Sequence, residues 1–136
     1  LVLHAHLPFV RHPEHEFFME EHWLFEAITE TYIPFLQMFE RLERDDVFFR
    51  MTMSVSPTLA SMLADPLLQD RYVDHIDRLI ELSEKEIERN KYNEHFHSLA
   101  LEYFNIFTQT KKVFVEQYHK NILNGFKRFQ DSGSLE

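Results

Sequence analysis

Polar and apolar positions alternate along Leu1-Val2-Leu3-His4-Ala5-His6-Leu7-Pro8-Phe9 until Pro8 stops the ladder, which predicts a short buried strand running into a loop. Side chains alternate across a strand, so Val2, His4 and His6 fall on one face and Leu1, Leu3 and Ala5 on the other. Residues 11–21 are polar, rich in histidine and carry Pro13, as expected of a loop over the strand's carboxyl end. Over residues 20–44 the period changes to that of a helix, with Trp23, Ala27, Ile28, Phe35, Met38, Phe39 and Leu42 at three- and four-residue steps. Pro34 predicts a kink or break near Tyr32. Asp45-Asp46 reads as a turn.

Residues 47–56 return to a period of two, with Met51, Met53 and Val55 on one side and Thr52, Ser54 and Ser56 on the other. Two strands joined by a helix-length crossover predict a parallel pair, with Val2/His4/His6 beside Thr52/Ser54/Ser56. Ser56-Pro57-Thr58 and Asp65-Pro66 each look like helix starts, and the second pattern continues to about Arg89. Residues 90–93 interrupt it. A last helical stretch over residues 94–130 has Phe96, Leu99, Tyr103, Phe107, Phe114, Tyr118, Ile122, Phe126 and Phe129 as its expected core stripe, a bend at Gly125 and a helix-ending Gly133. The fold class is therefore α/β, mostly helical by residue count, with two short parallel strands and long helices. Such a sheet has open edges, which complete domains normally cover. The expectation is the front part of a larger protein, with a next strand beginning at Leu135-Glu136.

Composition narrows the function. A net charge of -9 argues against a nucleic acid or an anionic membrane as partner. The absence of cysteine excludes disulfides and thiolate metal sites and fits a cytoplasmic protein. No apolar run approaches the ~18 residues of a membrane span.

The candidate chemistry lies in His4 and His6, two imidazoles side by side at the carboxyl end of a strand, where α/β sheets and barrels bind ligands. A hydrogen-bonded core pair is the plain alternative. His15-Glu16 is followed by Phe17, Phe18 and Met19, so the metalloprotease spacing HExxH is absent. A His-x-His at the end of a first barrel strand is also how metal-dependent hydrolases hold an ion. Two imidazoles on one face can both reach zinc at ~2.0–2.1 Å. A non-catalytic alternative is an acidic helical module pairing with another chain through residues 67–130, which predicts exposed phenylalanines there and no pocket by His4.

Together these segments resemble the glycoside hydrolase family 57 enzymes, particularly their 1,4-α-glucan branching enzyme group. The resemblance rests on residues 1–9, on residues 21–34 from Glu21-His22-Trp23 to Tyr32-Ile33-Pro34, and on residues 50–59 from Arg50-Met51-Thr52 to Thr58-Leu59. It extends to Leu68-Gln69-Asp70-Arg71-Tyr72 and to residues 129–136. It implies the N-terminal part of an incomplete (β/α)7 catalytic barrel across residues 1–136. Residues 1–64 would form the first βαβ unit and its following helix, and residues 65–134 a helical insertion.

The implied reaction is retaining transfer of an α-1,4-glucan segment to a 6-hydroxyl by a glutamate nucleophile and an aspartate acid/base. Both carboxylates are expected beyond Glu136, in the rest of the same polypeptide, so this chain holds no catalytic residue and should be inactive alone. His4 and His6 would hydrogen-bond the α-glucan, with Trp23 as a stacking face and Glu26 or Glu30 as hydroxyl partners. For these last three, a helix packing or surface role is the competing reading. The resemblance implies no metal and no cofactor.

Overall fold

The computed structural model describes residues 1–15 and 18–136. Strands β1 (Val2–Ala5) and β2 (Thr52–Val55) pair in parallel, with Val2 opposite Thr52, Leu3 opposite Met53, His4 opposite Ser54 and Ala5 opposite Val55. The expected register and faces are thus present. The expected loop over 11–21 is coil and turn up to the helix start at Glu21 in its described residues, while Glu16 and Phe17 lie outside them.

Between the strands run α1 (Glu21–Ala27), a π-helical turn (Ile28–Tyr32) and α2 (Ile33–Arg44). The break expected from Pro34 takes the form of that turn. Pro34 has no N–H to give the carbonyl four residues back, and the ladder widens so that the N–H of Ile33 bonds the Ile28 carbonyl.

β2 is shorter than the 47–56 alternation suggested. The N–H of Val47 still closes α2 on the Leu42 carbonyl, and Phe49 leaves the sheet to stack on Phe39 with ring centroids 5.1 Å apart. The other edge of β2 is also engaged. Met51 N donates to Ser134 O, Glu136 N to Met51 O and Met53 N to Glu136 O, a parallel bridge centred on Met51 and Leu135. Leu135-Glu136 therefore pairs as the expected next strand would begin.

Three helices start on side-chain caps. Ser56 Oγ accepts from Leu59 N at α3 (Pro57–Leu63), Asp65 Oδ1 from Leu68 N at α4 (Pro66–Arg89), and Asn93 Oδ1 from Phe96 N at α5 (Glu94–Lys112). The single helix expected over 94–130 is broken. After α5 come a second π-helical turn (Val113–Gln117) and a reversal in which His119 and Lys120 take φ of 52° and 65°, before α6 (Leu123–Asp131). Gly125 lies inside α6 and does not mark the break; Gly133, with φ of 79°, follows its end as expected.

Packing divides the aromatic stripe in two. Phe114, Tyr118, Ile122, Phe126 and Phe129 are buried with Leu24, Ile33, Leu36, Phe39, Leu59 and Tyr72, whereas Phe96, Leu99 and Tyr103 are exposed. The exposed half lies on the hairpin of α4 and α5, where Leu79, Leu82, Phe96, Leu99, Tyr103 and Phe107 border a groove of about 330 Å3. Ser83 and Asn90 in that groove turn their polar groups back on the Leu79 and Glu86 carbonyls.

Helix α4 reaches the core through Tyr72, whose hydroxyl pairs with the buried Thr29 at 2.9 Å, and through His75. The His75 ring lies 4.9 Å from that of His22 and 5.1 Å from that of Phe25. Burial, then the neighbouring His22 and Arg78, push the His75 imidazole down to about 4. Its folded-state value is below that of the unfolded chain, so the unfolded state takes up the proton first and stability falls as pH drops from about 6.5 towards 4. Urea midpoints measured across that window should decline. His75→Gln should remove on the order of 1 kcal/mol of that acid-induced loss, allowing for the ring's partial exposure. An unchanged slope would assign the acid sensitivity to other groups.

Candidate functional site

The parallel register decides where the imidazoles stand. His4 and His6 project from the same face of β1, their rings 6.0 Å apart and within 12° of parallel. Directly across, Ser54 of β2 shares a 2.5 Å hydrogen bond between its Oγ and His4 Nδ1. This bond occupies Nδ1 and leaves Nε2 as the ring's other nitrogen. Whichever tautomer is present, Nε2 can pair with a hydroxyl group, which both donates and accepts.

The sequence pattern placed hydroxyls beside the histidines. It did not single out Ser54 as the His4 partner, although the two alternations laid in register carry that signal. Its neighbour Ser56 is used otherwise, as the cap of α3.

The strand is not buried on both faces as its pattern predicts: His4 and His6 are both exposed on their face of the sheet, while Ala5 on the opposite face is buried. Two layers cannot cover both sides of two strands. The helices take the Leu3/Ala5 side and leave the histidine side open.

A cavity of about 200 Å3 adjoins the pair, lined by Leu3, His4, Ala5, His6, Thr31, Tyr32, Phe35 and Met53. Residues from both faces of β1 line it, so it runs along the strand's unpaired edge rather than over one face. Trp23, Glu26 and Glu30 are exposed and none of them lines this cavity; the α1 and π-turn region reaches it through Thr31 and Tyr32. The structure thus brings His4 and His6 together and leaves the other three candidates on the solvent side of their helix.

A metal would need more than two imidazoles. Among the described residues, no three His, Cys, Asp or Glu side chains come together to hold one. No described helix is long and apolar enough to cross a membrane. The exposed aromatics that a pairing module requires exist on α5, but so does the cavity beside His4 that such a module was expected to lack.

Beyond His6 the chain leaves the carboxyl end of β1 and runs to α3 and α4, the helices that follow β2. Val10 is buried and its N–H points at Met62 Sδ, 3.3 Å away at the end of α3. Arg11 Nε meets Asp65 Oδ2 at 2.5 Å. Further along α4, Arg71 donates to the His12 and His15 carbonyls and pairs with the buried carboxylate of Glu21.

Comparison with known proteins bears on what this arrangement serves. The sequence profile described as Glycosyl hydrolase family 57 matches residues 1–136. The chain is 37% identical over 139 residues to the 1,4-alpha-glucan branching enzyme TK1436 of Thermococcus kodakarensis, covering 99% of this chain and 19% of that protein. Among solved structures it superposes on the alpha-amylase AmyC from Thermotoga maritima with a TM-score of 0.92 at 49% identity, covering 100% of this chain and 26% of the other. The GH57-type branching enzyme of Pyrococcus horikoshii gives a TM-score of 0.90 at 32% identity, covering 99% and 25%. The chain therefore spans about a fifth of the curated relative and about a quarter of the solved ones.

Proposed function

Because the chain belongs to glycosyl hydrolase family 57, we propose that it is the N-terminal part of an α-glucan-transferring enzyme, which moves an α-1,4-glucan segment to a 6-hydroxyl to form branches. The observation that carries this reading is the His4/His6 pair, parallel, exposed and braced by Ser54 at the carboxyl end of a parallel sheet.

Two-carboxylate retaining chemistry needs the donor sugar held rigidly between a nucleophile and an acid/base that stand about 5–5.5 Å apart. Neither carboxylate is assigned to this chain. Its contribution is the positioning of sugar hydroxyls by imidazole nitrogens, which lowers the barrier by removing unproductive poses.

The barrel is part of the proposal. β1 has an unpaired edge bordered by a groove, and β2 already bonds residues 134–136 on its far side. Further parallel strands on both sides would extend this sheet towards a (β/α)7 barrel. Residues 1–64 supply its first βαβ unit and following helix, and residues 65–134 the helical insertion before the next strand.

A hydrolytic reading has its own support, because the solved relative at 49% identity is described as an alpha-amylase. Amylose assays on the polypeptide that contains this chain separate the two. Branching changes the chain-length profile without a matching rise in reducing ends, whereas hydrolysis shortens the chains and adds one reducing end for each bond cleaved. His4→Ala and His6→Ala should each lower kcat/KM by about 100-fold in either case, the loss expected when a reacting group is misplaced by an ångström. Full activity in both variants would sink the assignment of the pair, and turnover of amylose by residues 1–136 alone would sink the placing of both carboxylates outside this chain.

A further inference from the structure

We propose that Arg71 is a positioning residue for the sugar-binding mouth, fixing the segment that follows His6 as a preset wall at the carboxyl end of β1. The inference rests on the α-glucan reading above and extends it to a side chain on the long hairpin.

Residues 7–15 form no regular structure, and no ladder holds them. They are fastened instead at successive points along α3 and α4: Val10 N–H at Met62, Arg11 at Asp65, then the His12 and His15 carbonyls at Arg71. The distances from Arg71 to those two oxygens are 3.4 Å at Nη1 and 2.5 Å at Nη2. The Glu21 carboxylate completes the set, with a side chain 3% exposed against 16% for Arg71.

The division of labour within the guanidinium matters. Its charge is matched by Glu21, which a lysine could also match. Its planar fork holds two carbonyls at once while keeping the carboxylate, which a single ammonium on a flexible stem does far less well. A residue needed only for stability would require the charge. A residue that sets the segment's place requires the fork.

The strand end beside this segment carries His6, two residues before Pro8. A wall held from α4 therefore limits where a glucan unit on the histidines can lie. Once the grip on the carbonyls is lost, the segment samples several positions, and substrate binding must select among them.

The test compares Arg71→Lys with Arg71→Met in the polypeptide that contains this chain. It follows thermal unfolding, amide hydrogen exchange at Val10–His12 and kinetics on amylose. Arg71→Lys should keep its melting temperature within a few degrees, exchange at least about tenfold faster at those amides, and raise KM about five- to tenfold with kcat within about twofold. Arg71→Met should unfold at markedly lower temperature.

An Arg71→Lys protein with wild-type exchange, or with wild-type KM, overturns the proposal and leaves Arg71 as the counter-ion of Glu21. A parent protein that neither binds nor converts amylose overturns the α-glucan reading, and the sugar wall with it. That result appears in the unsubstituted protein, so it is distinct from a failure confined to the variants.

Discussion

Phe39→Ala is expected to destabilise the protein by about 3–5 kcal/mol, read as a lowered urea midpoint at an unchanged denaturant slope. Phe39 is completely buried and sits among three rings, with centroids 5.7 Å from Phe35, 5.1 Å from Phe49 and 5.2 Å from Phe129. Two of these contacts are edge-on and one is stacked, geometries that add to simple burial. The ring joins α2 to the segment before β2 and to α6, so its loss leaves a cavity that no single element can close. Phe48→Ala is the matched control. That side chain is 90% exposed, and its removal should change stability by no more than about 0.5 kcal/mol. A loss below about 1 kcal/mol for Phe39→Ala would mean that these elements are not joined through this ring.

Gly125→Val should cost about 3 kcal/mol, the upper end for overpacking a core. A Cβ at this position would stand 2.8 Å from Leu36 Cδ1 and 2.8 Å from Tyr118 Cε1. Neither neighbour yields easily. Leu36 is fully buried, and Tyr118 donates its hydroxyl to Glu40 Oε1 at 2.8 Å. Gly125→Ala gains about 1 kcal/mol in helix propensity, so its net loss should be visibly smaller. Coupling Gly125→Ala to Leu36→Ala should recover part of the clash, giving a non-additive cycle. Strict additivity would show that the glycine is not needed for this close approach.

These two positions show where sequence reading works and where it stops. Phe39 belongs to the helical period that runs on after Pro34, and burial of that face follows from the period itself. Gly125 reads equally as a bend or as a close approach, because both exploit the missing Cβ. Only the packing of α6 on α2 separates them. The reversal at His119 and Lys120 likewise has no glycine or proline to announce it. It arises because α6 must return to the core beneath β2, and two residues in left-handed conformation accommodate that return.

The candidate site divides in the same way. Alternation in two short stretches was enough to place His4 and His6 on one face, and to put a hydroxyl-bearing strand beside them. It could not supply the bond between His4 and Ser54, which depends on register. Nor could it supply the grip of Arg71 on carbonyls 56 and 59 residues away. Such contacts leave no periodic trace.

What the sequence determined by itself is everything whose cause is local. That includes the period of most elements, the helix starts at Ser56 and Asp65, the break forced by Pro34, and the face on which the imidazoles stand. Tertiary structure alone decided which half of the long aromatic stripe is buried, how far β2 extends and what fastens the segment after His6. The reason is physical: local pattern fixes the direction in which a side chain points, but burial and partnership depend on what arrives there from distant parts of the chain.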